Sequence, residues 1–417
     1  MRLEFDLNLR ADDRQQDFFD YLNSALRAIA RGFSGTSGRR ADGRYESSIS
    51  GVFILNATPI SLTFRLIWAS GDGAIESLVV EPNSEPPSGF DWRLEATDFV
   101  RRVQGTALAD RRTTFFCRRI AFFVGPTLDG EYWLPGFRLA PLPSNDSDPY
   151  VINAERAVAI DMEISAIDHA HANKLAEESS RRHVARLSLL LNKGLYPPNH
   201  TRVWVLPDAD GTSALSSVRC QRHFHTPQLY GPRMPEKGIE CNPGKWDGQL
   251  EADFGFAGTL TSLPKEARRI LRLARSTKPE VQAAFDAGAR LYQVAATIGS
   301  RFPSASLAYR VAAIDAIRQA ATTFRSPVEF IRAFSGVSEE SDVLATYLWS
   351  DVRSAHFHGG AFPLGDFGGS APWDPLMHAI EVEQDSMHRS LFALTRTVIV
   401  RWMLAELDSV EDVSSGE

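Results

Sequence analysis

At 417 residues the chain is long enough for two domains, each able to bury its own core. A hydrophobic content of 43% with 23% charged residues is that of an ordinary globular protein and excludes fibrous and low-complexity classes. The net charge of −7 argues against a protein that coats nucleic acid, but it leaves room for a local basic cleft, because steering depends on where charge sits.

Three cysteines, Cys117, Cys220 and Cys241, form an odd and sparse set that builds no disulfide framework and points to a reducing compartment. The opening Met1-Arg2-Leu3-Glu4-Phe5-Asp6 carries acids where a signal peptide has an apolar core. The most apolar C-terminal stretch is interrupted by Arg396 and Arg401, so no membrane span is expected. The expectation is a cytoplasmic protein.

In chain order, Phe18, Leu22, Leu26 and Ile29 recur at helical spacing and predict an amphipathic helix over 11–31. The Gly/Ser/Arg-rich stretch Gly32 to Gly43 reads as a loop. Strand-like runs follow at Ser47–Leu55, Ile60–Ala69, Ile75–Val80, Phe115–Val124 and Tyr132–Leu139, each bounded by Gly, Asn or Pro. Val158, Ile160, Met162 and Ile164 alternate with polar or small residues and predict a half-buried strand. A helix is expected over 172–192 and a further strand around Val203–Leu206. Residues 1–250 therefore read as one α+β domain with mostly antiparallel strands.

The composition changes near residue 260. Helices are expected at Leu263–Ser276, Pro279–Gly299, Ser304–Phe324, Pro327–Phe334, Glu339–Phe357 and Asp374–Leu407. Ser304 reads as a cap, Pro327 as a first-turn proline, and Ser338 as a cap before the acidic pair Glu339-Glu340. Short links between five or six helices make residues 255–410 an all-α bundle, interrupted by the glycine-rich loop Gly359–Trp373.

Chemistry concentrates just before that loop, in Tyr347-Leu348-Trp349-Ser350-Asp351-Val352-Arg353-Ser354-Ala355-His356-Phe357-His358-Gly359-Gly360. An arginine holds phosphate, and a histidine exchanges protons near neutrality. On an ideal helix, positions five apart point roughly 140° from each other. Arg353 and His358 therefore meet only where the glycine pair loosens the helix end.

An Arg, a short spacer and a His in a late helix of a helical domain resembles the HEPN superfamily. The His-Gly ending and the preceding helices are most similar to its Apea-like branch. The resemblance covers about the last 160 residues, and the motif itself is short. It implies a metal-independent endoribonuclease, with His358 in proton transfer and Arg353 stabilising phosphoryl charge. It also implies RNA as substrate, no cofactor, and a homodimer through the C-terminal bundle that brings two motifs to one cleft. The biology implied is defence against phage or toxin-like growth arrest, with the N-terminal domain as sensor or restraint.

Supporting residues follow from the same resemblance. His356 is either a supporting or substrate-contacting group, or simply a packed or a solvated histidine. Asp315, in the apolar run Val311 to Ile317, either orients Arg353 and the histidine or pairs with Arg310 or Arg318. Ser354 stands where the family often has a polar group able to brace the site. A second reading takes Ser354 as a mark of decay and the bundle as a catalytically inactive module for RNA or protein binding and dimerisation.

Other constellations have simpler explanations. Lys265, Arg268, Arg269, Arg272 and Arg275 give a helix a basic face, which is ordinarily a solvated one. Cys220, His223, His225 and Cys241 carry zinc-type donors at irregular spacing, and form the zinc alternative. Asp168-His169-Ala170-His171 lies at a strand-to-helix junction, where Asp168 as an N-cap accounts for it without metal.

Overall fold

The computed structural model describes the chain outside residues 1, 10–12, 69–73, 108–111, 143–154, 198–199, 208–213, 222–232, 245–259, 273–277, 300–301, 322–323, 337–338, 354–358, 361–374 and 415–417. The protein is α+β, with antiparallel sheets in the N-terminal half and helices towards the C-terminus. It divides into two compact units. One comprises Met1–Cys117, Glu163–Ala176 and Gly231–Arg233; the other comprises Arg118–Met162, Glu177–Tyr230 and Met234–Glu417. No described helix is long and apolar enough to cross a membrane.

The first unit is built on a five-stranded antiparallel sheet. In chain order its elements are β1 (Leu3–Leu9), α1 (Asp13–Ile29), β2 (Ala30–Arg39), β3 (Tyr45–Leu55), β4 (Thr58–Trp68), β5 (Ile75–Pro82) and α2 (Trp92–Ala107). The strands lie in the order β1-β5-β4-β3-β2. The tight turn between β3 and β4 places Asn56 (φ 44°) and Ala57 (φ 61°) in the left-handed region, the twist a two-residue hairpin requires.

Alternation along the strands turns Phe53, Ile60, Leu62, Phe64, Leu66, Leu78 and Val80 to one face. There they meet Phe18, Leu22 and Leu26 of α1 and Phe99, Val100 and Val103 of α2. Phe64 sits edge-on to Phe53 (5.1 Å) and to Phe99 (5.8 Å), an arrangement aromatic quadrupoles favour. The opposite face carries a hydroxyl and amide relay: Ser50 to Thr63 (2.7 Å) and Thr63 to Asn83 (2.6 Å).

Besides β1, for which the sequence reading offers no element, two elements of this unit depart from the sequence expectation. The stretch expected as a loop, Gly32 to Gly43, is largely strand β2, held in register by β3 from Ala30↔Phe53 to Arg39↔Tyr45. Almost all of β2 is exposed, so it needs no apolar alternation, and the strand signal that alternation supplies is missing. A Cβ on Gly51 would lie 2.3 Å from the Gly32 carbonyl, so this glycine permits the two strands to close. Helix α2 is the other departure. Asp91 accepts from the Arg93 and Leu94 amides (3.2 Å each) as its N-cap, and Trp92, Ala96, Phe99, Val100, Val103 and Ala107 bury one face. That periodicity was readable in the sequence.

Strands β6 (Thr113–Val124), β7 (Thr127–Leu128), β8 (Tyr132–Leu134), β9 (Phe137–Pro141) and β10 (Glu155–Ala166) follow. A four-stranded sheet has the order β6-β10-β9-β8. Arg138 lies opposite Asp161 in the β9–β10 register, and the guanidinium donates to Asp161 (2.6 Å) and to Glu131. Arg118 grips the same Asp161 at 2.6 and 2.9 Å. Glu131 also accepts from the Trp133 indole (2.8 Å) and the Gly238 amide (2.9 Å), and its backbone pairs with Ile239 and Cys241. One cross-strand ion network thereby anchors the segment from 238 to 241. Gly130 (φ 73°) clears its path, since a Cβ there would lie 2.7 Å from the Ile239 carbonyl.

Helix α3 (His169–Leu191) is followed by β11 (His200–Pro207), β12 (Ala214–Gln221) and β13 (Leu260–Thr261), and then by the C-terminal helices. β11 pairs with β12, and β13 runs parallel to β7. The helices are α4 (Ala267–Leu271), α5 (Pro279–Ile298), α6 (Pro303–Ala320), α7 (Pro327–Ser335), α8 (Glu339–Tyr347) and α9 (Pro375–Ser414). The expected helix over Leu263–Ser276 is short in the described residues, at Ala267–Leu271. Ser304 is not a cap: Phe302 holds that position, Pro303 takes the first helical place, and Ser304 is buried as the second helical residue. Ser326 does cap α7, accepting from the Glu329 amide (3.1 Å), while Glu329 accepts from the Arg325 amide (3.0 Å).

The C-terminal end of α3 is buried, and long-range partners satisfy it. Arg396 of α9 donates to the Leu189 and Leu190 carbonyls (2.8 Å each), and Tyr292 of α5 bonds Asn192 at 2.5 Å. Arg186 pairs with Asp286 (2.8 Å). Between α5, α6 and α9, fully buried Arg310 lies 4.4 Å from the Tyr292 ring and 4.2 Å from the Phe392 ring.

Replacing Arg396 by Met keeps the stem and removes both bonds to α3. It is expected to lower stability by about 3 kcal/mol or more, because two buried carbonyls lose a charged donor, as urea unfolding would measure. The Glu131 carboxyl is held down to about 2, chiefly by the Arg138 hydrogen bond, against the opposing effect of burial. A depressed carboxyl stabilises the fold fully above the ordinary value of 4.5, and this is lost as pH falls through about 2. Urea midpoints of the wild type should therefore exceed those of Glu131→Gln at pH 7, with the gap closing through this window.

Candidate functional site

The segment expected to carry chemistry follows α8. Instead of continuing as an α-helix, the chain widens into a π-helical turn at Leu348–Arg353. Leu348 and Val352 are fully buried, and the turn packs on α6, whose Leu307, Val311 and Ile314 are buried too. A π turn is rare, and it persists only where side-chain packing outweighs poorer backbone bonding. Here the apolar contacts of Leu348 and Val352 supply that packing. The backbone of Arg353 closes the turn. Ser354, His356 and His358 lie outside the described residues, as does Ser338. Gly360 adopts φ 61°, a left-handed conformation suited to ending a helix. Nothing local in the sequence signals the π turn: Leu348 and Val352 are four apart, as they would be in an α-helix.

Asp315 sits on α6, the helix that supports the turn. Its carboxylate accepts from Arg318 Nε (3.2 Å) and Nη2 (3.1 Å), an i, i+3 pair on its own helix. Arg310, the other partner considered for it, is engaged between aromatic rings instead.

Of the zinc-type donors, Cys220 falls on β12 opposite Arg202, and His223 and His225 lie outside the described residues. Cys241 is buried, and burial pushes its thiol pKa up, away from the thiolate that binds metal. Among the described residues no group of three His, Cys, Asp or Glu side chains could hold a metal ion.

Asp168 caps α3: its Oδ1 accepts from the His171 amide (2.7 Å) and its Oδ2 from Ser24 (2.9 Å). His171 is buried beside Asp17 (3.5 Å), which Arg112 also grips. His183 packs on Phe137 (ring centroids 4.5 Å apart), and burial pushes its pKa down to about 3. It is therefore neutral at pH 7 and unsuited to proton exchange there. In the basic set, Arg269 bonds Asp408 (2.6 Å) and Lys265 approaches Glu266 (3.9 Å), whereas Arg268 and Arg272 are exposed and Arg275 lies outside the described residues.

What the described residues bring together is the backbone of a π-helical turn that ends at Arg353 and packs on α6, the helix that carries Asp315. No protein-family model matches this chain, and neither a curated protein nor a solved structure matches it.

Proposed function

We propose that the C-terminal helices form a HEPN-type endoribonuclease that works without metal, with Arg353 and His358 as its catalytic pair. The observation that carries this reading is the π-helical turn ending at Arg353, because such turns concentrate at functional sites. The surrounding helical array and the packing of the turn on α6 also support it.

In this mechanism His358 takes the proton of a ribose 2′-hydroxyl. The O2′–P bond forms as the P–O5′ bond breaks, and the 5′-oxygen leaves with a proton. The products are a 2′,3′-cyclic phosphate and a 5′-hydroxyl end. Arg353 meets the charge that gathers on the non-bridging phosphoryl oxygens, which its planar fork of donors suits. His356 and Asp315 act as supporting groups. A homodimer through the C-terminal helices brings two such pairs to one RNA, and defence against phage or toxin-like growth arrest is the corresponding biology.

The decisive experiment is RNA cleavage in excess EDTA by the full chain, with transfer RNA, ribosomal RNA and a generic single strand as substrates. Cleavage is expected to survive chelation and to leave cyclic phosphate ends. It should fall by about a hundredfold or more in Arg353→Ala and in His358→Ala, the scale of a lost general acid–base or oxyanion group. Cleavage of equal rate in both variants would overturn the assignment. RNA bound but left intact by the wild type would favour a binding and dimerisation module, with Ser354 marking the altered site. Mass measurement at micromolar concentration should give a dimer; monomer alone would count against a composite cleft.

A further inference from the structure

The helix-bearing face of the first unit's sheet continues beyond the helices that cover it. On this face Phe33, Ser37 and Arg39 of β2 stand opposite Gly51, Ser47 and Tyr45 of β3, and Tyr45 stands opposite Trp68 of β4. Where α1 covers the sheet, the matching positions Phe53, Leu62 and Phe64 are core. At the far corner they open into a cleft of about 610 Å³, lined by Phe19, Ser37, Gly38, Arg39, Tyr45, Glu46, Ser47 and Trp68. That volume falls in the range that holds a small organic molecule.

The walls combine exposed aromatic surface with the positive charge of Arg39, which has no carboxylate partner among the described residues. Tyr45 is 54% exposed, and Trp68 is half-buried with its ring 5.9 Å from that of Phe19. Arg39 is exposed, donates to the Gly43 carbonyl (3.3 Å) and lies 5.9 Å from the Tyr45 ring centroid. Along the same face the motif repeats: Arg27 lies 5.7 Å from the ring of Phe33, which is 45% exposed. Arg31 adds a further exposed cation.

The neighbouring charges do not neutralise this face. Arg40 and Arg44 are taken by Asp42, Glu46 and Glu76, but among the described residues no carboxylate pairs with Arg27, Arg31 or Arg39. Glu46 is the one acid lining the cleft among the described residues, and Arg40 (3.2 Å) and Arg65 (3.7 Å) occupy its carboxylate.

We propose that this face binds a nucleotide. Its base stacks on Tyr45 and Trp68 in the cleft, its phosphate is held by Arg39, and Ser37 and Ser47 offer hydroxyls to the base edge or sugar. A duplex keeps its bases inside the stack, so the aromatic walls select an unpaired base. The second cation–aromatic pair, Arg27 with Phe33, lies six residues along β2 from Arg39, about 20 Å at strand spacing. Two such stations on one edge fit a single strand, with one nucleotide seated in the cleft and others following β2.

The test is fluorescence anisotropy of the full chain with a labelled 2′-O-methyl decanucleotide, which lacks the 2′-hydroxyl that transesterification requires. The same strand in a duplex, and AMP and UMP as competitors, complete the set. The single strand is expected to bind more tightly than the duplex, and its affinity should fall as salt rises. Tyr45→Ala and Arg39→Ala should each weaken binding about tenfold or more, while Arg93→Ala, an exposed arginine on α2, leaves it unchanged. Circular dichroism checks that the variants fold; both target side chains lie at the surface. If AMP or UMP binds as tightly as the strand and both variants abolish it, the cleft takes a free nucleotide. No saturable binding of strand, AMP or UMP would overturn the proposal. So would binding that neither Tyr45→Ala nor Arg39→Ala alters.

Discussion

The last carbonyls of helix α3 end inside the protein, and a buried carbonyl without a donor is among the costlier defects a fold can carry. Here the donor is Arg396, about two hundred residues further along the chain. Its guanidinium forks across the Leu189 and Leu190 carbonyls, as a planar group with several donors can and an ammonium cannot. Because Arg396 sits on α9 and its acceptors on α3, the α3 terminus and the C-terminal helix must form together. Asn192 with Tyr292 and Arg186 with Asp286 tie the same region of α3 to α5. Buried Arg310, between Tyr292 and Phe392, extends the pattern from α6 to α5 and α9. In this unit buried cations determine which helices meet, while apolar contacts supply most of the area.

The π-helical turn depends on that array. Leu348 and Val352 find their places against α6 only because α6 is itself fixed by Arg310 and by close packing on α5. Gly288 shows how close that packing is, since a Cβ there would lie 2.5 Å from the Ile317 side chain. A turn whose backbone bonding is inferior to an α-helix is thus supported from outside, and Arg353 stands at its end.

The first unit follows a different economy. Its core is a sheet face closed by two helices, and its far corner is left open, with aromatic and arginine side chains in place of a lid. Charge on the ribbon is partly sorted: Glu46 is held by Arg40 and Arg65, while Arg27, Arg31 and Arg39 have no carboxylate partner among the described residues. A chain with a net charge of −7 can in this way still present a local positive surface to an anion.

The sequence by itself determined the α+β class, the helical character beyond residue 260, β10 as a strand, the cap at Asp168 and the first-turn proline of α7, whereas the half-buried alternation expected of β10 is replaced by burial on both faces from Val158 to Met162. Each is written locally, because an amphipathic period or a cap records the environment of one short segment. The Arg353–His358 motif was legible as spacing alone. Strand β2, the π-helical turn and the displaced start of α6 were decided by tertiary structure, as were the places of Arg310 and Arg396. β2 is exposed and has no buried period to display, so only the register of β3 makes it a strand. A buried guanidinium reads in the sequence like any surface arginine, because the carbonyls and rings that accept it lie on other helices, remote along the chain. Local patterns therefore specified the elements, and partners distant in sequence decided where their polar groups could be buried.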